Sequence, residues 1–198
     1  MTSKVDLTRE ITFASSDPNV SRQISLMEKA GKLRKIAPRL YTSNIKDSFE
    51  NIVRRNILDI LVWRYPKAII SHRSAKEMRP AAGGNFYLTT TYSKKVTDLP
   101  GITVNLLKGP AADEGDLPYN GIYIAGEYRW MLENMQTSRK GEAYSKTLPI
   151  GVIENKLEKI LLIGGEYKLN EYRDKLRETS GRLGMPKEFE KINKIISA

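Results

Sequence analysis

Residues 20–42 place the strongest constraint on the fold, because a helical periodicity is followed at once by a strand periodicity. Val20, Ile24 and Met27 recur at helical spacing, and Gly31 supplies a helix stop. The helix that this spacing predicts has a polar outer face. Its end leads directly into a strand-like segment, so the two elements have to be explained together.

The segment KLRKIAPRLYT, residues 32–42, alternates apolar and basic residues around the turn Ala37-Pro38-Arg39. Two short alternating runs joined by a three-residue turn predict a β-hairpin. Alternation places Lys32 and Arg34 on one face of the first strand, and Leu33 and Lys35 on the other. A polar-faced helix followed by a basic hairpin is typical of a winged helix-turn-helix, whose helix enters the major groove of DNA. A basic hairpin that merely faces solvent is the alternative.

The net charge of the chain is +10 and is unevenly distributed. Residues 1–100 contain 18 Lys and Arg against 9 Asp and Glu, whereas residues 101–198 contain 15 against 14. Nearly all the excess therefore lies in the first half, which indicates a localised anionic partner. Nucleic acid is the partner most often found for such a basic surface, and double-stranded DNA fits the helix–hairpin layout.

The residue types on the helix and the hairpin predict two kinds of DNA contact. Arg22 and Gln23 have the donors that recognise guanine and adenine edges, whereas cations on the hairpin would contact phosphates without reading sequence. The predicted DNA-binding residues are Ser21, Arg22, Gln23, Ser25 and Lys29 on the helix, with Lys32, Arg34, Lys35 and Arg39 on the hairpin.

Four further residues are candidate phosphate contacts. Arg54 and Arg55 are adjacent on a predicted helix, and they also fit a plain solvated face. His72 stands at a predicted helix start beside Arg73 and is the only side chain whose ordinary pKa lies near neutrality. A packed or capping histidine is the alternative for His72.

The remaining sequence predicts a mixed α+β fold with a helical C-terminal part. Apolar spacing predicts one helix over residues 47–65, and Ser71 is placed to cap another after a short buried strand at 68–70. Further strands are predicted at 85–96, 99–109 and 122–125, and helices at 127–141, 152–165, 169–184 and 187–197. We expect two domains, a winged helix-turn-helix over residues 1–45 and an α/β domain over residues 46–198.

Composition excludes several kinds of site. The chain has no cysteine and one histidine, so disulfides, thiol catalysis and metal clusters of Cys or His are excluded. Asp113, Glu114 and Asp116 lack the spacing of a calcium loop, and no phosphate-binding glycine loop is present. No metal, cofactor or membrane span is therefore expected. The first ten residues resemble no export signal, and we expect a cytoplasmic protein.

The motifs SRQISLMEKAGKLRKIAPRLYTSN, IVRRN and AIISHRSA together resemble the AbiEi-like antitoxin and transcriptional-regulator module. The resemblance, to the form found at the N-terminus of bacterial Fic-family proteins, continues through LPGITVNLLKGP, YRWMLENMQTSR and LNEYRDKLRETSGRLGMPKEFEKIN. It implies a winged-helix head that binds operator DNA, an α/β second domain, and a role in a toxin–antitoxin or phage-defence system.

Two features depart from that family pattern. The Fic catalytic signature, His-Pro-Phe followed by Gly-Asn-Gly-Arg, is absent, because His72 is followed by Arg73; AMP transfer is therefore not expected. Only about twenty residues precede Ser21, so the segment LTREITFASS, residues 7–16, would have to supply a helix ahead of the recognition helix.

Three functions follow from these patterns. The first is a non-catalytic DNA-binding transcriptional regulator of the antitoxin type, with a cognate toxin as a further candidate partner. The second is a protein-interaction module detached from a Fic-like toxin, which docks a protein through its helical tail. The third, an enzyme acting on nucleotides or nucleic acid, has the least support because no nucleophile–base set is visible.

Overall fold

The computed structural model describes residues 8–138 and 145–197. The described chain is mixed α+β, with seven helices and two sheets in that part, which confirms the predicted fold class at this level. It divides into two compact units: residues 1–65 with 95–103, and residues 66–94 with 104–198. The predicted boundary at 45/46 would have separated the first sheet from the two helices that follow it, whereas the structure groups them together.

The first unit is a three-stranded antiparallel sheet with three helices. Strand order is β1-β3-β2, and Asp17 caps the first helix by accepting a hydrogen bond from the Asn19 N–H at 2.8 Å. The elements are β1 (Ile11–Phe13), α1 (Pro18–Lys29), β2 (Arg34–Ala37), β3 (Leu40–Thr42), α2 (Phe49–Arg55) and α3 (Ile57–Arg64).

The predicted helix at residues 7–16 is wrong, because residues 11–13 form strand β1; Leu7 lies outside the described residues. Ile11, Thr12 and Phe13 are β-branched or aromatic and pair in antiparallel register with β3. Only α1 precedes the hairpin in the described part of the chain, so the structure contains a helix and a hairpin but not the two helices of a full winged helix-turn-helix.

Helices α2 and α3 belong to the same unit as the first sheet, and their side chains make apolar and charged contacts within that unit. Ile52, Ile60 and Leu61 are fully buried, and the Trp63 ring stacks on Phe13 of β1 with centroids 4.6 Å apart. The single helix predicted over 47–65 is interrupted at Asn56, whose φ of −104° and ψ of 14° leave helical geometry. Two short helices therefore stand where one long helix was predicted.

The second unit contains most of a six-stranded sheet of order β6-β7-β5-β4-β9-β8. Strand β4 pairs parallel to β9 and antiparallel to β5. The six strands and the helix after β4 are β4 (Ile69–Ile70), α4 (His72–Glu77), β5 (Asn85–Thr90), β6 (Lys94–Leu99), β7 (Ile102–Lys108), β8 (Leu117–Tyr119) and β9 (Ile122–Ile124). Residues 95–103, which include most of β6 and the start of β7, are grouped with the first unit. The segment predicted as one strand at 85–96 is divided between β5 and the start of β6, and the two strands do not pair with each other because β7 lies between them in the sheet.

Three C-terminal helices complete the second unit: α5 (Glu127–Asn134), α6 (Ile150–Leu183) and α7 (Pro186–Ile196). Their apolar faces share one core that includes Met131, Ile153, Leu176 and Ile192. Helix α6 is interrupted at Gly165, where φ is 65° and ψ is −173°, so the predicted stop at Gly164-Gly165 is present. Helix α5 ends before the predicted residue 141, and residues 139–144 lie outside the described part.

Candidate nucleic-acid interface

Helix α1 presents a polar face to solvent. Arg22, Ser25 and Lys29 are exposed and recur at spacings of three and four residues, which places them on one side of the helix. Ile24 faces the other way and is only 2% exposed. Three of the five residues predicted on this helix to contact DNA are therefore available to a ligand.

The other two predicted residues of α1 have partners inside the protein. The Ser21 hydroxyl donates to the Ser15 carbonyl oxygen at 2.9 Å, which ties the first turn of α1 to the preceding loop. Gln23 is half-buried and makes a contact within the unit. The structure thus leaves Arg22, rather than Gln23, as the exposed side chain with base-reading donors.

Lys32 and Lys35 are both exposed, and neither has an ion-pair partner among residues 8–138 and 145–197. The Lys32 N–H donates to the Met27 carbonyl oxygen at 2.9 Å, so Lys32 lies directly at the C-terminus of α1. The simple alternation predicted for the hairpin does not hold: Leu33, which precedes β2, is 2% exposed whereas Lys35 is exposed, and the register shifts between Lys35 and Ala37.

Arg34 is used by the first unit itself. Its Nε and one Nη donate to the Asn44 carbonyl oxygen at 3.1 and 2.7 Å, and that Nη also donates to the Asp47 carbonyl oxygen at 2.7 Å. The guanidinium lies over the Phe49 ring, 4.6 Å from its centroid. These partners give Arg34 a role in closing the loop after β3, in contrast to the phosphate contact that the sequence predicted.

Arg39 stands in the turn of the hairpin with a φ of 62°. Its guanidinium lies 5.5 Å from the centroid of the Trp63 ring, and an Nη donates to the Ala14 carbonyl oxygen at 3.3 Å. The side chain is exposed, so these contacts orient it without removing it from solvent. Arg39 is held more loosely than Arg34.

Arg55 belongs to a cluster of charges between α2 and the start of the sheet. Its guanidinium pairs with Glu10, with Nε at 2.7 Å from Oε2, and with Asp47 at 2.5 Å. The hydrogen bonds from Arg55, Asn44 and Asn56 lower the pKa of Glu10 from 4.5 to about 2. Arg54 is exposed and has no ion-pair partner in the described ranges, so of the two adjacent arginines only Arg54 is available.

His72 and Arg73 are buried in the second unit and do not form an exposed phosphate site. The His72 ring lies 3.1 Å from both Ser71 Oγ and Gln136 Oε1, and burial lowers its pKa. Arg73 donates to both carboxylate oxygens of Glu77 at 2.9 Å. The packed histidine, the alternative stated from sequence, is the arrangement that the structure contains.

Sequence reasoning missed a buried charged network beside His72. Arg129 donates to Glu133 at 2.9 Å and to Asp116 at 2.7 Å, and Glu133 accepts from the His72 N–H at 2.7 Å. Asp116 also accepts from the Gly126 N–H at 2.9 Å. The signal was present in RWMLE, because Arg129 and Glu133 are four residues apart on a predicted helix and the three residues between them are apolar.

Gly126 allows this network to close. A Cβ at this position would collide with the carbonyl oxygen of Gly115, so only glycine lets the loop before β8 approach the start of α5. Asp116 and Arg129 line a cavity of about 300 Å³, and His72 and Glu133 line another of about 330 Å³. Members of the network therefore line two cavities within one unit.

The described residues contain no group of three His, Asp or Glu side chains placed to hold a metal ion. None of the helices in the described ranges combines the length and the apolarity needed to cross a bilayer. Comparison of the chain with family models, curated proteins and solved structures finds no match. The AbiEi-like resemblance accordingly stays an expectation from the motifs quoted for it.

Proposed function

We propose that this protein binds double-stranded DNA through helix α1 and the β2–β3 hairpin, and acts as a non-catalytic cytoplasmic regulator of the antitoxin type. One observation carries the proposal: a helix and the hairpin after it present four exposed cations whose side chains have no hydrogen-bond, ion-pair or ring partner in the described part of the chain. These cations are Arg22, Lys29, Lys32 and Lys35. Exposed unpaired cations on consecutive elements suit a phosphate backbone.

The structure suggests how the contacts divide. Arg22 lies in the first half of α1, where a helix in the major groove places its base-reading residues, and Ser25 follows on the same face. Lys29, Lys32 and Lys35 continue from the end of α1 into the hairpin, where flexible ammonium groups suit phosphates. Sequence preference would thus depend on Arg22 and Ser25, and affinity on the three lysines.

The absence of catalysis is part of the proposal and is supported by the surroundings of the one histidine. His72 is 3% exposed and is held between Ser71 and Gln136. Although His72 lines a cavity, both of its ring nitrogens are already hydrogen-bonded within the protein, and a general base needs a nitrogen within hydrogen-bond reach of the substrate proton. A regulator that represses its own operon, with a toxin as a second partner, needs no such group.

Fluorescence anisotropy with labelled duplexes of about 30 base pairs, at several salt concentrations, tests the proposal. We expect the double variant Lys32→Ala/Lys35→Ala to weaken binding equally for AT-rich and GC-rich duplexes and to reduce the salt slope by about two. Arg22→Ala should instead change the ranking of duplexes selected from a random pool. Lys187→Ala/Lys194→Ala, on exposed positions of α7, is the matched control and should bind as the wild type.

Wild-type protein that binds no duplex even at low salt would overturn the proposal. Co-purification with a protein and no nucleic acid would then favour the protein-interaction module. An unchanged salt slope in the lysine double variant, with binding retained, would show that DNA contacts a different surface.

A further inference from the structure

Helix α6 exposes a group of apolar side chains at its interruption, whereas most of its apolar residues elsewhere are buried or half-buried. Leu161, Leu162, Ile163 and Tyr167 are 40%, 76%, 88% and 78% exposed. Elsewhere on the same helix, the buried apolar residues are Ile153, Leu157, Tyr172, Leu176 and Leu183. Apart from Ile150 at the start of the helix, which is 49% exposed, the exposed apolar side chains of α6 lie around Gly165, in a segment that we call the α6 apex (residues 161–167).

The backbone explains why these side chains find no place in the core. Gly165 adopts a φ of 65° and a ψ of −173°, so the residues before it and after it belong to two differently directed helical arms. Leu161, Leu162 and Ile163 are consecutive, and three consecutive residues extend over about 200° of a helix circumference. No single helix face could bury all three, so the apex is a projecting apolar surface.

The exposed area is large for an isolated surface feature. The four side chains together present on the order of 500 Å² of mainly apolar surface, which is at the upper end for patches on monomeric proteins. Two such surfaces in contact would bury on the order of 1,000 Å², the lower limit for a specific protein–protein interface. We propose that the α6 apex is a homodimer contact, occupied by the apex of a second copy of this chain.

Charges beside the apex favour a second copy over a different partner. Residues 160–165 carry no charge, whereas Glu158 and Lys159 precede them and Glu166 and Lys168 follow them. Each side therefore offers both signs. A two-fold axis brings one patch against itself, and such a patch needs both signs to avoid repulsion. A strongly acidic or basic partner would find no net charge here to match.

Sedimentation velocity of the full chain at about 5 and 50 µM tests the contact. We expect the wild type to sediment as a dimer of the 22.5 kDa chain at the higher concentration. Leu162→Glu/Ile163→Glu should sediment as a monomer, because two carboxylates per copy would be buried at the contact. The control Leu117→Glu changes another exposed leucine of the same unit, 60% exposed, and should remain dimeric. Far-UV circular dichroism verifies that each variant is folded.

Cysteine cross-linking provides a second measurement, which does not require a substitution that disrupts the dimer contact. The chain has no cysteine, so Ile163→Cys introduces a single thiol at the apex. Under mild oxidation we expect a disulfide-linked dimer from Ile163→Cys and none from Leu117→Cys. Wild-type protein that stays monomeric at 50 µM overturns the proposal, as does an apex double variant that remains dimeric. The contact does not depend on DNA binding, so either proposal can fail alone.

Discussion

The exposed cations of α1 and the β2–β3 hairpin contrast with Arg129 in the second unit, which is 2% exposed between Asp116 and Glu133. On the helix and hairpin, cationic groups reach solvent without an acidic partner in the described ranges. In the buried network, every charge of the trio is hydrogen-bonded within the protein. Net charge is therefore a poor guide to function unless charges that are paired inside the protein are counted separately from exposed ones. The second half of the chain is nearly neutral, yet it contains the charges whose loss of a partner would destabilise the protein most.

Removing Arg129 should produce the largest effect of any change to these charges. Arg129→Met leaves the buried carboxylates of Asp116 and Glu133 without a cation, and we expect a loss of about 3–5 kcal/mol in the free energy of unfolding. Each unit contains one tryptophan, so in a Trp63→Phe background the fluorescence of Trp130 reports on the second unit during urea unfolding.

The matched control for Arg129→Met is Lys168→Met, which removes one partner of the exposed pair between Lys168 and Glu171. We expect no change in its urea midpoint, because exposed pairs on a helix surface are solvated in both states. Equal midpoints for the two variants would mean that burial does not distinguish the network from a surface pair.

Arg34 and Lys35 are adjacent cations that should separate stability from DNA affinity. Arg34→Ala removes three hydrogen bonds to the carbonyl oxygens of Asn44 and Asp47, and we expect a loss of about 1–3 kcal/mol. Lys35→Ala should stay within about 0.5 kcal/mol of the wild type while weakening DNA binding. Trp63 fluorescence in a Trp130→Phe background, with duplex titrations, measures both quantities.

Arg34→Lys is the informative control, since an ammonium keeps the charge but not the planar fork of donors. We expect it to be destabilised like Arg34→Ala. A stable Arg34→Ala protein with a reduced salt slope would instead restore Arg34 to the phosphate contacts predicted from sequence.

The sequence predicted which segments are helical or extended better than how they associate. The hairpin at 32–42 was predicted from its local pattern of apolar and basic residues around a turn, and the stop at Gly164-Gly165 from the backbone freedom of glycine. Both signals lie within a short segment of the sequence. The strand at 11–13 was missed because three residues show no periodicity and owe their conformation to pairing with β3. Whether a cation is available to a ligand depends on partners distant in sequence, such as Glu10 for Arg55, and local sequence patterns do not reveal such partners.

Acidification should weaken the charge cluster around Glu10 in the first unit. Its folded pKa, about 2, lies below the ordinary value of 4.5, so the stabilisation is complete above the unfolded pKa and is lost as the pH falls towards the folded pKa. We expect the difference in urea midpoint between wild type and Glu10→Gln to be constant from pH 7 to about 6. It should shrink from about pH 5 downwards and vanish near pH 2.

Comparing the two proteins at each pH cancels the carboxylates that they share, so the difference reports Glu10 alone. Arg55→Gln should change the pH profile in the same direction, because the hydrogen bond from Arg55 is the largest cause of the lowered pKa, with smaller contributions from Asn44 and Asn56. A difference that stayed constant down to pH 2 would show that Glu10 contributes through packing rather than charge.

Arg54 and Arg55 provide the smallest and most selective test, since two neighbours with the same chemistry have different partners. Arg55 pairs with Glu10 and Asp47, whereas Arg54 is exposed without an acidic partner in the described residues. We expect Arg54→Ala to keep the wild-type urea midpoint and to reduce the salt slope of DNA binding by about one. Arg55→Ala should lower the midpoint slightly, more at low salt than at high salt, and leave the slope unchanged. Reversed results would assign the phosphate contact to Arg55 and would mean that its ion pairs open when DNA binds.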